Sequence, residues 1–308
     1  MIDISSKYST LRTAAARSTV RMQSETVNRV RGGTVPKGDP LPVARVAAIQ
    51  AVKNTSAIIP FCHPLPVDHV AVDFDVQDTK IVIEVIAKAI YKTGVEMEAM
   101  TGAAVAALTI YDMLKMLDDT MSIEGVELLW KKGGKSEFRE DARGLTAAVL
   151  VTSDSVADGK KQDRTGPMIK KRLEDEGLTV ASYDIIPDDQ ALITQYLTKY
   201  ADSMHVDLVL STGGTGFSPR DFTPEATRVI LEREAPGITE YLRAFGQART
   251  PWSMLSRSTA GVRGSTLIIN LPGSRGGVKD ALDALFPGVL HTFKMLKGMG
   301  HPSREKQQ

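Results

Sequence analysis

Asp112 and Lys115 are a pair whose types and spacing suit catalysis. Residues three apart in a helix share one face, so a carboxylate and an amine lie side by side there. The alternative is an ordinary surface ion pair, which contributes little to stability. However, Asp112 interrupts the otherwise apolar run LTIYDML (108–114), which favours a functional carboxylate. The pair therefore indicates proton transfer by a positioned acid and amine.

The same predicted helix carries another acid, Glu98, fourteen residues before Asp112. At 1.5 Å per residue, the two carboxylates lie roughly 21 Å apart along the helix axis. They cannot form one acid–base pair within a chain. Both can serve a single site only if a second subunit supplies one end of it.

Two other segments of the first half present candidate ligand contacts. Lys37 stands beside a glycine and can approach a phosphate closely, although the pattern alone fits a solvated lysine better. Cys62-His63 pairs a thiol with an imidazole, but the other ligands of a regular zinc site are missing. Cys62 is therefore expected to be a small buried filler, whereas His63, beside a proline, is expected to contact a ligand.

In the second half, glycines and acids follow predicted strands. TGGTGF (212–217) comes directly after the apolar run VDLVLS, so its backbone N–H groups can close around an anion. A tight turn is the alternative interpretation. Asp188 ends a strand and Asp221 precedes a helix, so either could cap nearby backbone groups. Two acids at strand ends beside a glycine loop equally suit Mg²⁺ bound to a nucleotide.

The elements that position the first set of residues are predicted from hydrophobic periodicity. Two strands between helices, followed by a helix and another strand, indicate an α+β sandwich. The predicted elements are a helix at 41–53, strands at 70–76 and 80–88, a helix at 95–117 and a strand at about 123–130.

The second half alternates strand and helix, which indicates a mostly parallel sheet covered by helices. Ligands of such sheets bind at the carboxyl ends of the strands, so loops 153–166, 211–221 and 271–276 are the expected site. The predicted strands are 145–153, 179–186, 206–212 and 265–273, with helices at about 165–176 and 189–203.

The polar segment 131–144 lacks periodicity and predicts an interdomain connection. It places one domain at 1–138, a linker at 139–144 and a second domain at 145–308. A chain of 308 residues is long enough for two such domains, each with its own core.

Composition restricts the function classes. Residues 1–144 carry 18 basic and 18 acidic side chains, and the remainder carries 20 and 19, so neither half has the charge excess of a nucleic-acid binder. The single cysteine excludes an intrachain disulfide and favours a reducing compartment. The N-terminus has no signal-peptide pattern and no run of about 18 apolar residues occurs. We expect a cytoplasmic chain without membrane association.

The first half resembles the cyclic pyranopterin monophosphate synthase family (MoaC-type) over about residues 1–138. The matching segments are KGD (37–39), FCHPLP (61–66), KTGVEMEAMT (92–101), AALTIYDMLK (106–115) and KKGGKS (131–136). The resemblance implies a ferredoxin-like fold that converts (8S)-3',8-cyclo-7,8-dihydroguanosine 5'-triphosphate, a cyclised dihydro-GTP, to cyclic pyranopterin phosphate and diphosphate. By motif it assigns catalysis to Lys37, Asp112, Lys115 and Lys131, the last of them following the final strand. It assigns substrate binding to Phe61, Cys62, His63, Met97 and Glu98.

The second half resembles the molybdopterin adenylyltransferase family of MogA-, MoaB- and gephyrin-type domains. The matching segments are VTSDSVADGKKQDRTGP (151–167), IPDD (186–189), STGGTGFSPRDFTPEAT (211–227), MLSRSTAGVRGSTLIINLPGS (254–274) and FPGVLHTFKMLKG (286–298). The resemblance implies a molybdopterin-binding fold that joins molybdopterin to the AMP part of ATP with Mg²⁺. It assigns catalysis and Mg²⁺–ATP binding to Asp188 and Asp221. It assigns substrate binding to Gly213, Gly214, Thr215, Gly216, Ser256, Pro272, Gly273 and Ser274.

These resemblances imply small-molecule substrates, no tightly bound organic cofactor, and a homo-oligomer with threefold symmetry, either trimer or hexamer. They also imply that cyclic pyranopterin phosphate gains its dithiolene sulfurs on a separate synthase, so the first product is not the second substrate. One alternative is a second domain that binds molybdopterin without catalysis. Another is a scaffold, as gephyrin-type domains can be, although no linker or partner motif supports it here.

Overall fold

The computed structural model describes residues 1–134, 137–138 and 140–298. The chain divides into two compact units, Met1–Glu137 and Phe138–Gln308. Within the described ranges, no helix has the length and apolar character needed to cross a membrane.

The first unit is an α+β sandwich, as the sequence predicts. Its sheet has the order β2-β3-β1-β4 with every pairing antiparallel, the strand order of a ferredoxin-like fold. One of its two central strands, β1, is absent from the elements predicted from the sequence. The elements are β1 (Thr10–Arg21), α1 (Ser24–Arg31), α2 (Pro40–Lys53), α3 (Thr55–Ile58), β2 (His69–Val76), β3 (Lys80–Tyr91), α4 (Glu96–Leu114) and β4 (Ser122–Lys132).

Small residues allow α4 to pack closely in the core of this unit. Ala14 and Ala16 of β1 and Ala103 of α4 are completely buried. A Cβ on Gly102 would lie 2.6 Å from a methyl carbon of Val52 on α2, so a larger residue would force Val52 or the helices to shift. This close packing holds α4 against α2 and the sheet, and each end of the helix carries candidate site residues.

The second unit is an α/β domain with a six-stranded sheet of order β6-β5-β7-β10-β9-β8. Strands β6, β5, β7 and β10 run parallel, while β9 pairs antiparallel with both β10 and β8, which confirms the predicted mostly parallel sheet. The strands are β5 (Thr146–Thr152), β6 (Thr179–Ile186), β7 (Leu208–Thr212), β8 (Arg233–Glu234), β9 (Ala260–Arg263) and β10 (Thr266–Leu271).

Helices connect these strands. The predicted helix at 189–203 is present, as α7 over Gln190–Thr198 followed by a π-helical turn over Lys199–Ser203. The helices are α5 (Asp154–Ala157), α6 (Gly166–Asp175), α7 (Gln190–Thr198), α8 (Thr223–Arg228), α9 (Pro236–Gln247), α10 (Arg275–Leu285) and α11 (His291–Leu296), with 3₁₀ turns at Pro251–Leu255 and Gly288–Leu290.

Part of the predicted linker, 139–144, is anchored on the second unit. The Glu140 carboxylate lies 2.7 Å from Nδ1 of His291 and also pairs with Lys294. Ala142 is 3% exposed. Arg139, the first linker residue, lies outside the described residues. The segment from Glu140 onward therefore belongs to the second unit, because its contacts are made there.

Candidate active sites

The C-terminal end of α4 carries a cluster of one acid and two amines. Lys37 Nζ donates to the backbone oxygen and to Oδ2 of Asp112, at 2.8 and 3.0 Å. Lys115 Nζ lies 2.8 Å from Asp112 Oδ1. The helix was predicted to reach residue 117, but it ends at Leu114, so Lys115 is its C-cap. Lys37 reaches the cluster from a turn in which Gly38 adopts a φ of 90°.

The charges of this cluster reinforce one another. Hydrogen bonds from Lys115 and then Lys37 hold the pKa of Asp112 below its ordinary value. The hydrogen bond to Asp112 raises the pKa of Lys115. The cluster therefore places one carboxylate between two lysine side chains, all accessible to a ligand. Two exposed cations at this end suit an anionic substrate group such as a phosphate.

The N-terminal end of α4 borders a cavity of about 660 Å³. All five substrate-binding candidates of the first unit line this cavity, and they come from the α3–β2 connection and from α4. They are Phe61, Cys62, His63, Met97 and Glu98. Further lining residues nearer the N-terminus, including Lys7, were not predicted from the sequence. The His63 Nε2 atom lies 2.9 Å from the backbone oxygen of Ile2.

Two groups in this cavity are perturbed by burial. Glu98 is only 4% exposed, and burial raises its pKa, helped by the charge of Glu96. Cys62 was expected to be a buried filler, but it is half-buried and lines the cavity. Burial and the charge of Glu98 raise the pKa of the Cys62 thiol. The raised pKa of Glu98 favours its protonated form, which makes this carboxyl group a candidate proton donor.

Lys131 belongs to the cavity end of α4 rather than to the Asp112 cluster. Its Nζ atom lies 2.8 Å from Oε1 of Glu96, which lines the cavity. Burial tends to raise the pKa of Glu96, but the hydrogen bond and charge of Lys131, a backbone hydrogen bond and the charge of Arg12 together lower it. The assignment of Lys131 to a position after the last strand is wrong, since it lies within β4, opposite Ala14. The four catalytic candidates thus fall into two groups at opposite ends of one helix.

In the second unit, the three predicted loops meet at the carboxyl ends of the parallel strands. They surround a polar cavity of about 770 Å³. Among its lining residues are the acids Asp188 and Asp221, the glycines Gly213, Gly214 and Gly273, and the bases Lys160, Lys161, Arg164 and Arg275. The parallel sheet brings these chain-distant residues together because its strands end at one edge.

Close backbone approaches explain the glycines of this loop. Gly213 has a φ of 103°, and a Cβ there would lie 2.1 Å from the backbone oxygen of Thr152. Gly214 has a φ of 58°, and its Cβ would lie 2.4 Å from Oγ1 of Thr223. A Cβ on Gly273 would lie 3.3 Å from Cα of Gly213. The loops after β5, β7 and β10 therefore approach one another at backbone distance.

The two acids differ in their surroundings. Asp188 Oδ2 accepts a hydrogen bond from the backbone N–H of Asp154 at 3.1 Å, while its buried Oδ1 has no partner among the described residues. Burial, followed by the charges of Asp154 and Asp221, raises the pKa of Asp188. Asp221 Oδ2 accepts from the backbone N–H of Ser218 at 2.8 Å. The helix cap near Asp188 is its neighbour Asp189, which accepts from Leu192 N–H.

Three predicted substrate contacts, Ser256, Pro272 and Ser274, line a second cavity of about 370 Å³ rather than the polar one. The two cavities adjoin at the loop after β10, because Gly273 and Arg275 line the polar cavity. Thr212 Oγ1 donates to the backbone oxygen of Pro272 at 2.7 Å and holds this loop against the glycine loop.

Arg257 is a site residue that the sequence analysis missed. Its backbone N–H donates to the oxygen of Thr215, and its guanidinium donates to the backbone oxygens of Gly216 and Asp221 at 2.6 and 2.5 Å. It also pairs with the Glu225 carboxylate. One arginine therefore fixes the backbone of Thr215 and Gly216 by hydrogen bonds. The available signal was an arginine next to Ser256 in the motif MLSRS.

The chemistry of the polar cavity suits a magnesium-bound nucleotide. No group of three or more His, Cys, Asp or Glu side chains in the described part of the chain is arranged to hold a metal ion. Asp188 and Asp221 provide carboxylate oxygens, one of them buried without a partner among the described residues. Mg²⁺ is typically bound by one or two carboxylates together with phosphates and water. The donor set therefore fits Mg²⁺ brought by a nucleotide.

Comparison with known proteins matches each of the two units to a separate family model. Residues 1–134 match the model of the MoaC family, and residues 148–292 match the model described as a probable molybdopterin binding domain. The cyclic pyranopterin monophosphate synthase of Desulfitobacterium hafniense is 52% identical over 144 residues, 46% of this chain and 88% of the relative. The crystal structure of the molybdopterin biosynthesis enzyme MoaB from Thermus thermophilus is 43% identical, covering 50% of this chain and 97% of that one, with a TM-score of 0.48.

A full-length relative joins both halves. The molybdenum cofactor biosynthesis bifunctional protein of Chlorobaculum tepidum is 40% identical over 301 residues, 98% of this chain and 96% of the relative. This similarity extends through both units, in the same order. The chain therefore belongs to the family of bifunctional molybdenum cofactor biosynthesis proteins, with a MoaC domain followed by a domain of the molybdopterin-binding type.

Proposed function

We propose that the first unit converts cyclised dihydro-GTP to cyclic pyranopterin phosphate and diphosphate. The observation that carries this proposal is the Asp112 carboxylate between Lys37 and Lys115. Rearrangement of a purine-derived ring requires proton transfers, which a positioned acid and amine can perform. Release of diphosphate develops negative charge, which fixed ammonium groups stabilise.

Lys115→Ala tests this proposal. We expect loss of diphosphate release by at least about 10²-fold, because the variant removes a positioned amine. Arg29→Ala is the matched control, since it also breaks an exposed ion pair within one helical turn, with Glu25. The control should keep both activity and melting temperature. Near-normal turnover by Lys115→Ala at wild-type stability contradicts the assignment.

For the second unit, adenylyl transfer from Mg²⁺–ATP to molybdopterin, with release of pyrophosphate, is the proposed reaction. It is supported by the two acids and the glycine loop that line one polar cavity. Asp188 and Asp221 would hold Mg²⁺, which neutralises phosphate charge when bound. The backbone N–H groups of Gly213 and Gly214, which line this cavity, would be available to the phosphates. The adjoining cavity at Ser256 and Ser274 offers room for the second substrate.

Asp221→Asn tests this second proposal. The amide keeps the shape of the side chain but weakens the Mg²⁺–ATP site, so adenylylated molybdopterin should no longer form. Molybdopterin binding should persist, because the adjoining cavity is unchanged.

The description of the matched domain as molybdopterin-binding favours one alternative, a domain that binds without catalysis. That alternative is correct if the wild-type protein binds molybdopterin but yields no adenylylated product with ATP and Mg²⁺.

A further inference from the structure

Asp154 and Asp188 hold each other through reciprocal hydrogen bonds. The Asp154 backbone N–H donates to Asp188 Oδ2 at 3.1 Å, and the Asp188 backbone N–H donates to Asp154 Oδ1 at 3.0 Å. Asp154 opens α5, directly after β5, whereas Asp188 follows β6. This exchange locks the carboxylate of Asp188 to the loop that begins the polar cavity.

Arg220 extends this arrangement to the other acid of the cavity. Its Nε and Nη2 atoms donate to Asp154 Oδ2 and Oδ1 at 3.0 and 2.7 Å, a bidentate pair. Arg220 immediately precedes Asp221 in the chain. The Asp154 carboxylate is therefore tied on one side to Asp188 and on the other to the segment that carries Asp221.

We propose that the Asp154–Arg220 ion pair is a positioning device that sets the separation of Asp188 and Asp221 for Mg²⁺–ATP. This inference rests on the proposed adenylyl transfer. Neither partner is among the described residues that line the polar cavity, so they act through the two acids rather than by touching substrate. Bidentate arginine–carboxylate geometry fixes orientation as well as distance, which a positioning role requires.

The exposure of the pair argues against a role in stability. The side chains of Arg220 and Asp154 are 60% and 42% exposed, and exposed ion pairs contribute little to folding. The charge of Arg220 instead faces three carboxylates, those of Asp154, Asp188 and Asp189. Loss of the pair should therefore misplace the acids while the fold survives.

The experiment compares Asp154→Asn, Arg220→Gln and the double variant in the full-length protein. Asp154→Asn removes the charge that pairs with Arg220 but keeps a side-chain oxygen that can accept from the Asp188 N–H. Misplacement of reacting groups by about 1 Å costs around 10²-fold, so we expect kcat to fall by about 10- to 100-fold in each single variant. The KM for molybdopterin should stay unchanged. The kcat of the double variant should be no lower than that of either single variant, because all three variants lose the same interaction.

Asp202→Asn is the matched control. Asp202 forms a bidentate pair with Arg263, at 2.9 and 2.6 Å, and is 44% exposed, close to the value for Asp154. It lies outside both cavities. This variant should keep wild-type kcat.

Arg220→Lys should recover only part of the kcat that is lost in Arg220→Gln, since lysine keeps the charge without the planar fork of arginine.

Calorimetric titration with ATP, with and without Mg²⁺, provides a readout that does not depend on turnover. We expect both single variants to lose most of the affinity that Mg²⁺ adds to ATP binding, with unchanged melting temperatures. The inference is overturned if the losses of kcat in the two single variants add up in the double variant. It is also overturned if either single variant keeps the wild-type gain in ATP affinity on addition of Mg²⁺. A wild-type protein that forms no adenylylated product refutes the proposed reaction instead, and the titrations still decide whether the pair positions the acids.

Discussion

At the residue scale, Asp112 and Glu98 show how one helix produces two different acids. Asp112 is exposed and bonded to two lysines, which lowers its pKa. Glu98 is buried at the other end of α4, which raises its pKa. The first is suited to remain ionised beside an anionic substrate, and the second to hold a proton. Residue type alone does not distinguish them, because desolvation and neighbouring charge decide the protonation state.

Glu98→Gln should change the dependence of stability on pH. The folded-state pKa of Glu98 is raised, so its contribution to stability is present below the ordinary glutamate pKa and is lost as pH rises through the raised value. Glutamine does not ionise, so the variant does not lose stability in this way as pH rises. Urea unfolding at pH 4 and pH 8 should show the variant gaining stability relative to wild type as pH increases.

Glu96→Gln provides a control of opposite sign. The pKa of Glu96 is lowered by Lys131, so its contribution is present above the ordinary glutamate pKa and is lost as pH falls. This variant should therefore lose stability relative to wild type as pH increases. Equal trends for Glu96→Gln and Glu98→Gln would contradict the environments described for these two acids.

At the element scale, the loop after β7 depends on backbone geometry that glycine alone permits. This loop leaves β7 beside the end of β5 and leads to the segment that carries Asp221. Arg257 donates a hydrogen bond to its Gly216, and Gly273 of the loop after β10 lies against its Gly213. A site built between strand ends can therefore be disturbed by a single methyl group.

Gly213→Ala should destabilise the second unit by about 3 kcal/mol, through a strained φ and a Cβ that collides with the backbone of Thr152. Gly264→Ala is the control, because Gly264 also has positive φ, 56°, but its added methyl carbon would meet no atom within 4 Å in the described part of the chain. It should cost only about 1 kcal/mol. Urea unfolding measures both values. Equal losses would show that the collision with β5 is unimportant.

At the scale of the whole molecule, the two units are expected to work independently. The first product requires sulfur before it can become the second substrate, as the family resemblance implies, so direct transfer has no chemical use. Separately produced fragments 1–137 and 138–308 should each keep the rate of the intact chain. The division lies before Glu140 and Ala142, because these residues are anchored on the second unit. A stable first fragment with a reduced rate would reveal coupling.

Assembly with threefold symmetry is the expected state of the chain. The Asp112 cluster and the Glu98 cavity lie at opposite ends of α4, so one chain cannot bring them into a single site. A second subunit that supplies one end resolves the separation. Light scattering at micromolar concentration should give a trimer or hexamer. A monomer with full activity in the first reaction would exclude the composite site.

Local patterns in the sequence determined much of this protein. The alternation of apolar strands and helices predicted the parallel sheet, and the rule that ligands bind at strand ends predicted the three loops of the polar cavity. Motifs shared with the two families predicted the acids of both units and five of the residues that line the cavity at Glu98. The sheet and its loops follow from short-range periodicity, which a sequence displays directly, whereas the roles of the site residues follow from the family resemblance.

Tertiary structure decided the rest, because it depends on partners distant in the chain. Strand β1 was missed since TLRTAAARSTVR contains alanines where a strand usually has β-branched residues, and only burial beneath α4 makes it the centre of the sheet. Lys131 joins Glu96, and Arg257 holds the glycine loop, through contacts that no local spacing encodes. The tie between Asp154, Asp188 and Arg220 likewise spans 34 and 66 residues, so packing of the sheet, rather than any motif, brings these charges together.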